Sequence, residues 1–523
     1  MDQFDQKRLK SRMDIAAAER AMFEPLLDDC IRLAKPAAKR FRQDTPGEDL
    51  AEEIFDDTGA VALQEYASRV QAGVTPNFVR WASLECDGSV PERDRIAINT
   101  DLEAINDFIF EEIWKSNFSP EIFELYLDMG ISTGNMLVEP GHRSLFHHTS
   151  IPMTEVYLEH DAWGELTGCF RERAKVKLGN LYAAYPTGEF SNELARQIEE
   201  QPDKEVKITD AFWRDTSVPI GEEANFIATM IESPGAGCEI IRKQRHVGWG
   251  SSPYIGTRFM KASGETWGRG PLMTALPSIR TLNQTLEYML QNAAMSMVGM
   301  YHIDEDAQIN PDTVTIEPGA LIPRAAGTRG LERIETGGGE FRVAEILQVT
   351  EATKIKRAMF NDMMSDPNRT PATALEISER MADLANRMSA AFGRLHYELI
   401  QPYMRRVLWI AEQQGLIELP RIKGKQVKIN AISPLAMAQG QRDVQTFMQY
   451  HQISTSMVGP QMAMAQYNLG KVLPDLRDKM GVNLTWFQTI EDMIKAGSAM
   501  AAAQAGGVPT GGAPAGPMQG GMG

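Results

Sequence analysis

The sequence predicts a mainly α-helical protein with a smaller β content, an α+β chain. Three observations carry this expectation. Apolar residues recur every three or four positions over several long runs. One interval, 151–266, instead holds short strand-like runs separated by turn residues. The last stretch, 501–523, is almost wholly Ala, Gly, Pro, Gln and Met; it cannot bury a core and is expected to be disordered.

Residues 7–39 carry Ile15, Met22, Leu26 and Ile31 at helical spacing and predict a helix broken near Pro36. Arg32, Lys35, Lys39, Arg40 and Arg42 form a local basic cluster, read as a solvated helix end rather than a binding patch. After a polar, Gly- and Pro-bearing stretch at 43–59, helices are expected near 95–117 and 120–129. Runs at 154–158 and 168–175, with Asp161-Ala162-Trp163-Gly164 between them, predict a hairpin, and 238–246 and 254–261 predict further strands.

Gly268-Arg269-Gly270-Pro271 opens the most regular part. Leu272, Leu276, Ile279, Leu282, Leu286, Leu290, Ala293 and Met297 form one apolar stripe. It fits a helix of about 30 residues, roughly 45 Å long. Pro277 lies in its first turns, so the regular helix is expected to start there. Its other face carries Arg280, Asn283, Gln284, Glu287 and Gln291, polar but lightly charged. A turn-rich insert at 301–342 contains strand-like 313–316 and 321–322 around Pro318-Gly319, and leads to a second stripe of Ile346, Val349, Ile355, Met359 and Met363. Two prolines sharpen the loop at 365–371, and Thr373 with Glu376 has capping-box spacing. A third helix continues through Met381, Leu384, Met388, Ala391, Leu395 and Leu399, kinked by Pro402 and ended by Gly415. A short strand at 426–430 precedes further helix from Leu435 to about Ala496.

The balance of 43% hydrophobic and 24% charged residues over 523 positions is ordinary for a globular chain. With 70 acidic against 53 basic residues, the net charge is −17. That excludes a tight, sequence-reading DNA binder, which holds phosphates with clustered Lys and Arg. An acidic wall suits a protein that DNA slides past, because it repels phosphates. Cys30, Cys86, Cys169 and Cys238 form no C-x-x-C pair and are expected as free, largely buried thiols. No signal peptide or membrane span is expected, and the protein is expected to be soluble.

No G-x-x-x-x-G-K-[ST] or H-E-x-x-H run occurs, and no catalytic residue, cofactor or metal is assigned. The glycines at 268–270 are weighed as helix initiation against phosphate binding, and initiation is favoured. His142, His147 and His148 lack ligand spacing and are expected in a loop or at the surface. Asp304-Glu305-Asp306 is read as a solvated turn, and most of the 29 methionines as flexible packing.

The run GRGPLMTALPSIRTLN at 268–283, followed by a long helix, resembles the head-to-tail connector (portal) family of short-tailed bacteriophages. IEPGA at 316–320, TPATALEI at 370–377 and ISPLA at 432–436 fit the same family in order and spacing. The resemblance implies an elongated portal-type subunit. Its wing would be 1–267, with the mixed part from about 151, and its stem helices 268–300 and 343–364. The clip insert would be 301–342, the channel loop 365–372, and a kinked helix returning to the wing 373–430. The crown would be 431–500 and the tail 501–523. Asp366, Asn368, Arg369 and Thr370 would sit on the channel loop. The implied assembly is a homo-oligomeric ring, usually a dodecamer, at the portal vertex of the virion, formed in the host cytoplasm. Double-stranded DNA would pass through it non-specifically. The terminase large subunit, tail adaptor, scaffold and major capsid proteins would be its partners. The competing expectations are a helical adaptor or scaffold protein of a virion without a pore, and an enzyme with an unrecognised site.

Overall fold

In the computed structural model the described residues are 4–38, 41, 54–86, 92–219, 222–233, 237–298, 300–302, 332–334, 341–361, 387–419, 428–467, 472 and 476. They fall into two compact units, 1–439 and 440–523. The elements are helical with a smaller share of antiparallel strands, as the sequence predicts. The expected elements at 313–322 and 373–386, and the tail at 501–523, lie outside the described residues.

Helix α1 (Gln6–Ala34) begins on Asp5, whose carboxylate accepts from the backbone N–H of Lys7 at 3.1 Å. The face it buries is only partly the expected one. Ile31 is buried and Leu26 packs half-buried on the core, but Ile15 and Met22 are exposed, and Leu9, Ala16, Arg20, Leu27 and Cys30 turn inward. Arg20 is the reason. Its guanidinium donates to the carbonyls of Thr154 (2.9 Å) and Val156 (3.2 Å) and lies 4.0 Å over the ring of Tyr157. A hydrogen-bonded cation over an aromatic face thus occupies a core position that apolar periodicity cannot register. Helices α2 (Thr58–Val74), α3 (Glu92–Lys115) and α4 (Phe118–Ile131) complete the N-terminal layer, with strand β1 (Ala82–Glu85) between α2 and α3.

Strand β2 (Thr133–Pro140) centres a three-stranded sheet, between β3 (Phe146–Ser150) and β9 (Tyr254–Arg258). The hairpin predicted around 161–164 is β4 (Val156–His160) and β5 (Leu166–Lys177). It opens a five-stranded antiparallel sheet continued by β6 (Glu205–Arg214), β7 (Ala224–Ser233) and β8 (Gly237–Val247). Side chains alternate along β6 and β7 with period two. Ala211, Trp213, Phe226 and Ala228 meet Leu9 and Ala16 of α1. Val206, Ile208 and Ile231 meet Leu181, Leu194 and Ile198, from α5 (Leu181–Ala184) and α6 (Asn192–Glu200).

Adjacent histidines on a strand point apart, and His147-His148 on β3 do so. His147 is exposed, but His148 is buried rather than at the surface. Its Nε2 lies 2.9 Å from the Tyr403 hydroxyl and its ring stacks on Tyr403 at 5.6 Å, beside Phe118. Burial pushes its pKa down to about 3.

After Arg258 the chain reaches α7 (Pro271–Val298), then strands β10 (Met300–His302) and β11 (Glu332–Ile334), which pair antiparallel, then α8 (Phe341–Ala358). Two expectations need correction. Pro277 lies inside α7, which starts at Pro271; burial of Leu272, Ala275 and Leu276 outweighs the helix-breaking cost of Pro277. The second helix ends at Ala358 rather than near 364, where Phe360 turns to φ 59 and its carbonyl accepts from Arg69.

Helix α9 (Ser389–Leu395) runs through a π-turn, His396–Ile400, into α10 (Gln401–Gln413). Pro402 has no N–H and crowds the carbonyl four residues before it. The helix absorbs this by widening one turn, with the Gln401 N–H reaching the His396 carbonyl. Gly415, at φ 69, takes the left-handed position that ends α10. The predicted strand near 426–430 is β12 (Lys428–Ala431), which pairs with β1. Helices α11 (Pro434–Val458) and α12 (Pro460–Ala465) follow.

In the π-turn, Glu398 accepts from the buried Arg258 through its guanidinium (2.6 Å) and its backbone N–H (2.9 Å). Glu398→Ala leaves that guanidinium unpaired, and we expect a loss of about 3–5 kcal/mol, read from the urea midpoint of the full chain. For His148, the folded-state pKa lies below the unfolded one, so the unfolded chain takes the proton first. Its contribution is full above about pH 6.5 and falls as pH drops toward 3, by at most about 1.4 kcal/mol per pH unit. His148→Gln should flatten the stability–pH curve in that window.

Candidate subunit interface on the paired long helices

Gly268-Arg269-Gly270-Pro271 fixes where α7 begins. The Gly270 N–H donates to the Ile131 carbonyl (3.0 Å), the Gly268 N–H to the Thr133 hydroxyl (2.9 Å) and the Arg269 N–H to the Met260 carbonyl (2.9 Å). A Cβ on Gly270 would stand 2.1 Å from the Gly130 carbonyl oxygen, so only glycine allows this crossing. These N–H groups are spent on the protein itself. The glycines initiate the helix.

From this anchor α7 first runs through the core, where Leu272, Leu276, Ile279 and Leu282 are buried, and Leu286 is half-buried. Helix α8 returns beside it and buries Ile355, with Met359 buried just past its end. Glu351 of α8 accepts from Ser278 of α7 and from Lys354, and both bonds hold its pKa below the ordinary value. Away from the core the same stripes come out into solvent. Leu290 is 57% exposed, Ile346 62% and Val349 63%, with Tyr288 and Val343 exposed beside them. The sequence reading placed Leu290, Ile346 and Val349 in packing stripes. All three are exposed.

The polar face divides in two. Arg280 pairs with Asp29 of α1, and the Asn283 side-chain oxygen accepts from the N–H groups of Phe55 (2.7 Å) and Asp56 (3.2 Å). Both residues therefore tie α7 to the N-terminal layer. Gln284 donates to the Tyr288 hydroxyl at 2.8 Å and Gln291 to Glu287 at 3.1 Å, each within the helix. Thr281, Thr285, Thr350 and Thr353 also turn their hydroxyls back onto carbonyls of their own helices. From Thr281 to Ala294 the only charged residue is Glu287, and from Val343 to Thr350 it is Glu345. The outer half of the helix pair is thus apolar and polar but nearly uncharged.

The remaining assigned residues, Asp366, Asn368, Arg369 and Thr370, lie outside the described residues. Of the basic cluster, Arg32 pairs with Asp29, and Lys35 with Glu124 and Asp128; Lys39, Arg40 and Arg42 lie outside the described residues. Cys30, Cys86 and Cys169 are free and buried, and Cys238 is half-buried. Among the described residues, no group of three or more His, Cys, Asp or Glu is placed to hold a metal. No described helix is long and apolar enough to cross a membrane.

The bacteriophage head to tail connecting protein family matches residues 6–486. The chain belongs to that family. Its place is accordingly in the virion, where head joins tail. The "Probable portal protein" of Bordetella phage BPP-1 is 22% identical over 514 residues, covering 94% of this chain and 88% of that protein. Two solved structures at 12% identity are a virion of a native gene transfer agent particle and the neck of an empty particle of that kind, determined with C6 symmetry. The first covers 81% of this chain and 94% of its own at a TM-score of 0.35. The second covers 84% and 96% at 0.36. Scores of that size add nothing to the argument.

The division of the polar face has a direct consequence. Asn283→Ala should cost about 1 kcal/mol, the worth of a lost side-chain hydrogen bond. Gln284→Ala and Gln291→Ala should stay within about 0.5 kcal/mol of the parent. Urea unfolding of the three variants checks this order.

Proposed function

We propose that the chain is a portal subunit, in which copies join side by side into a ring and leave a central channel for double-stranded DNA. The observation that carries this reading is the apolar surface that α7 and α8 keep exposed beyond the core. Rigid, exposed apolar rows on a lone chain mark a protein interface. Ring closure requires heterologous contacts, in which one face of each copy meets a different face of the next. A light polar face on α7 and a net charge of −17 per copy suit a passage that phosphates traverse without being held.

In this reading α7 and α8 are the stem, residues 301–342 the clip and 365–372 the channel loop, with Asp366, Asn368, Arg369 and Thr370 near the narrowest point. Gln284, Glu287 and Gln291 are the polar-face residues left to meet a neighbouring copy or the channel. The ring is a dodecamer that docks the terminase large subunit and the tail adaptor, and meets scaffold and major capsid proteins during assembly. The ring is a passive conduit for DNA and hydrolyses nothing itself.

Negative-stain images and native mass measurement of the full chain test the reading. Rings with a central hole support it, whereas monomers or open filaments only would refute it. Ile346→Glu with Val349→Glu should abolish rings while leaving the far-ultraviolet helical signal unchanged. Rings that persist undiminished in that variant would remove α8 from the interface.

A further inference from the structure

The turn between α2 and β1 holds two apolar side chains in water. Phe78 is 77% exposed and Val79 51%, and among the described residues neither joins a core cluster. The turn itself is tied at both ends. Asn77 accepts from the Ser119 hydroxyl at 2.8 Å and from the Gln71 amide at 3.4 Å. The Thr75 hydroxyl lies 3.0 Å from that of Tyr126, and Arg80 pairs with Asp107. Between these ties Phe78 stands at φ 58, a left-handed backbone that a side chain makes costly. An exposed aromatic ring in that position does nothing for the fold that glycine would not do better.

Beside the turn runs a row of carboxylates. Glu103, Asp107 and Glu111 follow one another at intervals of four on α3, so they share one face over about 12 Å. Arg80 reaches two of them, Asp107 directly and Glu103 at 3.9 Å. From Asp101 to Lys115 the helix carries five acidic residues and one basic residue. Like charges spaced by four repel within a helix, so the row lowers the stability of α3.

We propose that the Phe78–Val79 turn and the carboxylate row beside it dock a basic amphipathic helix of another protein. The apolar stripe of that helix receives Phe78 and Val79, and its Lys or Arg residues lie along Glu103, Asp107 and Glu111. Charge selects the occupant. Nucleic acid and anionic membranes present negative charge, which the row repels. A second copy of the chain carries −17 and is repelled in the same way. A helix is the complementary element, because its own residues at intervals of four repeat at the spacing of the row. Apolar anchors beside opposite charge are how a specific protein contact is built. The surface uses no residue of α7 or α8 and does not require a ring.

Fluorescence anisotropy on the full chain tests it, with a labelled amphipathic helix of Leu and Lys, about 18 residues long, as the probe. That peptide should bind, and its Leu/Glu counterpart should not. Phe78→Gly with Val79→Ser should weaken binding about tenfold or more, as loss of a buried anchor does. Asp107→Asn with Glu111→Gln should also weaken it and lessen its dependence on salt. Met22→Ser, at an exposed apolar residue of α1, should leave it unchanged. Phe78→Gly alone should not lower the urea midpoint, because glycine relieves the left-handed strain. A clear fall would make Phe78 a residue of the fold and overturn the proposal. Absent binding, or equal binding by the parent and the turn variant, overturns it too. Rings are scored in parallel by native mass. Their absence in the parent sinks the portal reading and leaves this one standing. Their loss in the turn variant alone assigns the turn to contact between copies and overturns this one.

Discussion

The orientation of the long helix pair depends on one buried ion pair. Arg258, at the end of β9, is almost wholly buried. Its guanidinium donates to Glu398 in the π-turn, to the Thr266 carbonyl (3.3 Å) and to the Gly164 carbonyl (3.2 Å) at the β4–β5 turn. A charge out of water is tolerable only when its donors are satisfied and its counter-charge is near. Here three separate parts of the chain supply the acceptors. The hairpin of the large sheet, the segment leading into α7 and the helix through α9 and α10 are therefore fixed to one point. Pro402 contributes indirectly, because the widened turn it enforces is the turn that holds Glu398 against β9.

From that point the chain passes the glycine crossing and enters α7, where one helix performs two tasks in succession. Its first turns bury large aliphatic side chains, each worth about 1.5–3 kcal/mol. Its later turns leave the same kind of side chain in water. A helix that served only the core would end or turn polar at that boundary. Helix α8 repeats the pattern in reverse order, exposed at Ile346 and Val349 and buried at Ile355. Two antiparallel helices that turn wet at the same end leave an apolar surface on a strut whose base is immobilised.

What could be read in the sequence follows from the same physics. Long 3.6-residue periodicity located α3, α4, α7 and α8, and alternation with a turn signal located β4 and β5. Periodicity cannot say what covers a stripe, so Leu290, Ile346 and Val349 were read as packed when the chain leaves them open. It also mis-phased α1, whose buried face uses Ala16 and Arg20, because a guanidinium over Tyr157 does not look like core in a hydropathy pattern. His148 was misplaced for a related reason. A polar ring becomes a core residue only through Tyr403, Asn117 and Ser116, which lie far from it in sequence or on another element. Strand β2 was missed because Thr133 to Pro140, buried almost throughout, shows no alternation.

The absence of charge is as informative as its excess. At −17 per copy, any assembly of this chain must overcome self-repulsion, and that repulsion weakens with salt while apolar contact does not. Charges spread evenly over the surface would leave no place for copies to meet. The acidic residues are instead thinned along the outer half of α7 and α8. An acidic body repels phosphates, and a face thinned of charge is where two acidic bodies repel each other least. The two requirements conflict on a uniform surface, and the distribution of charge along this chain resolves the conflict.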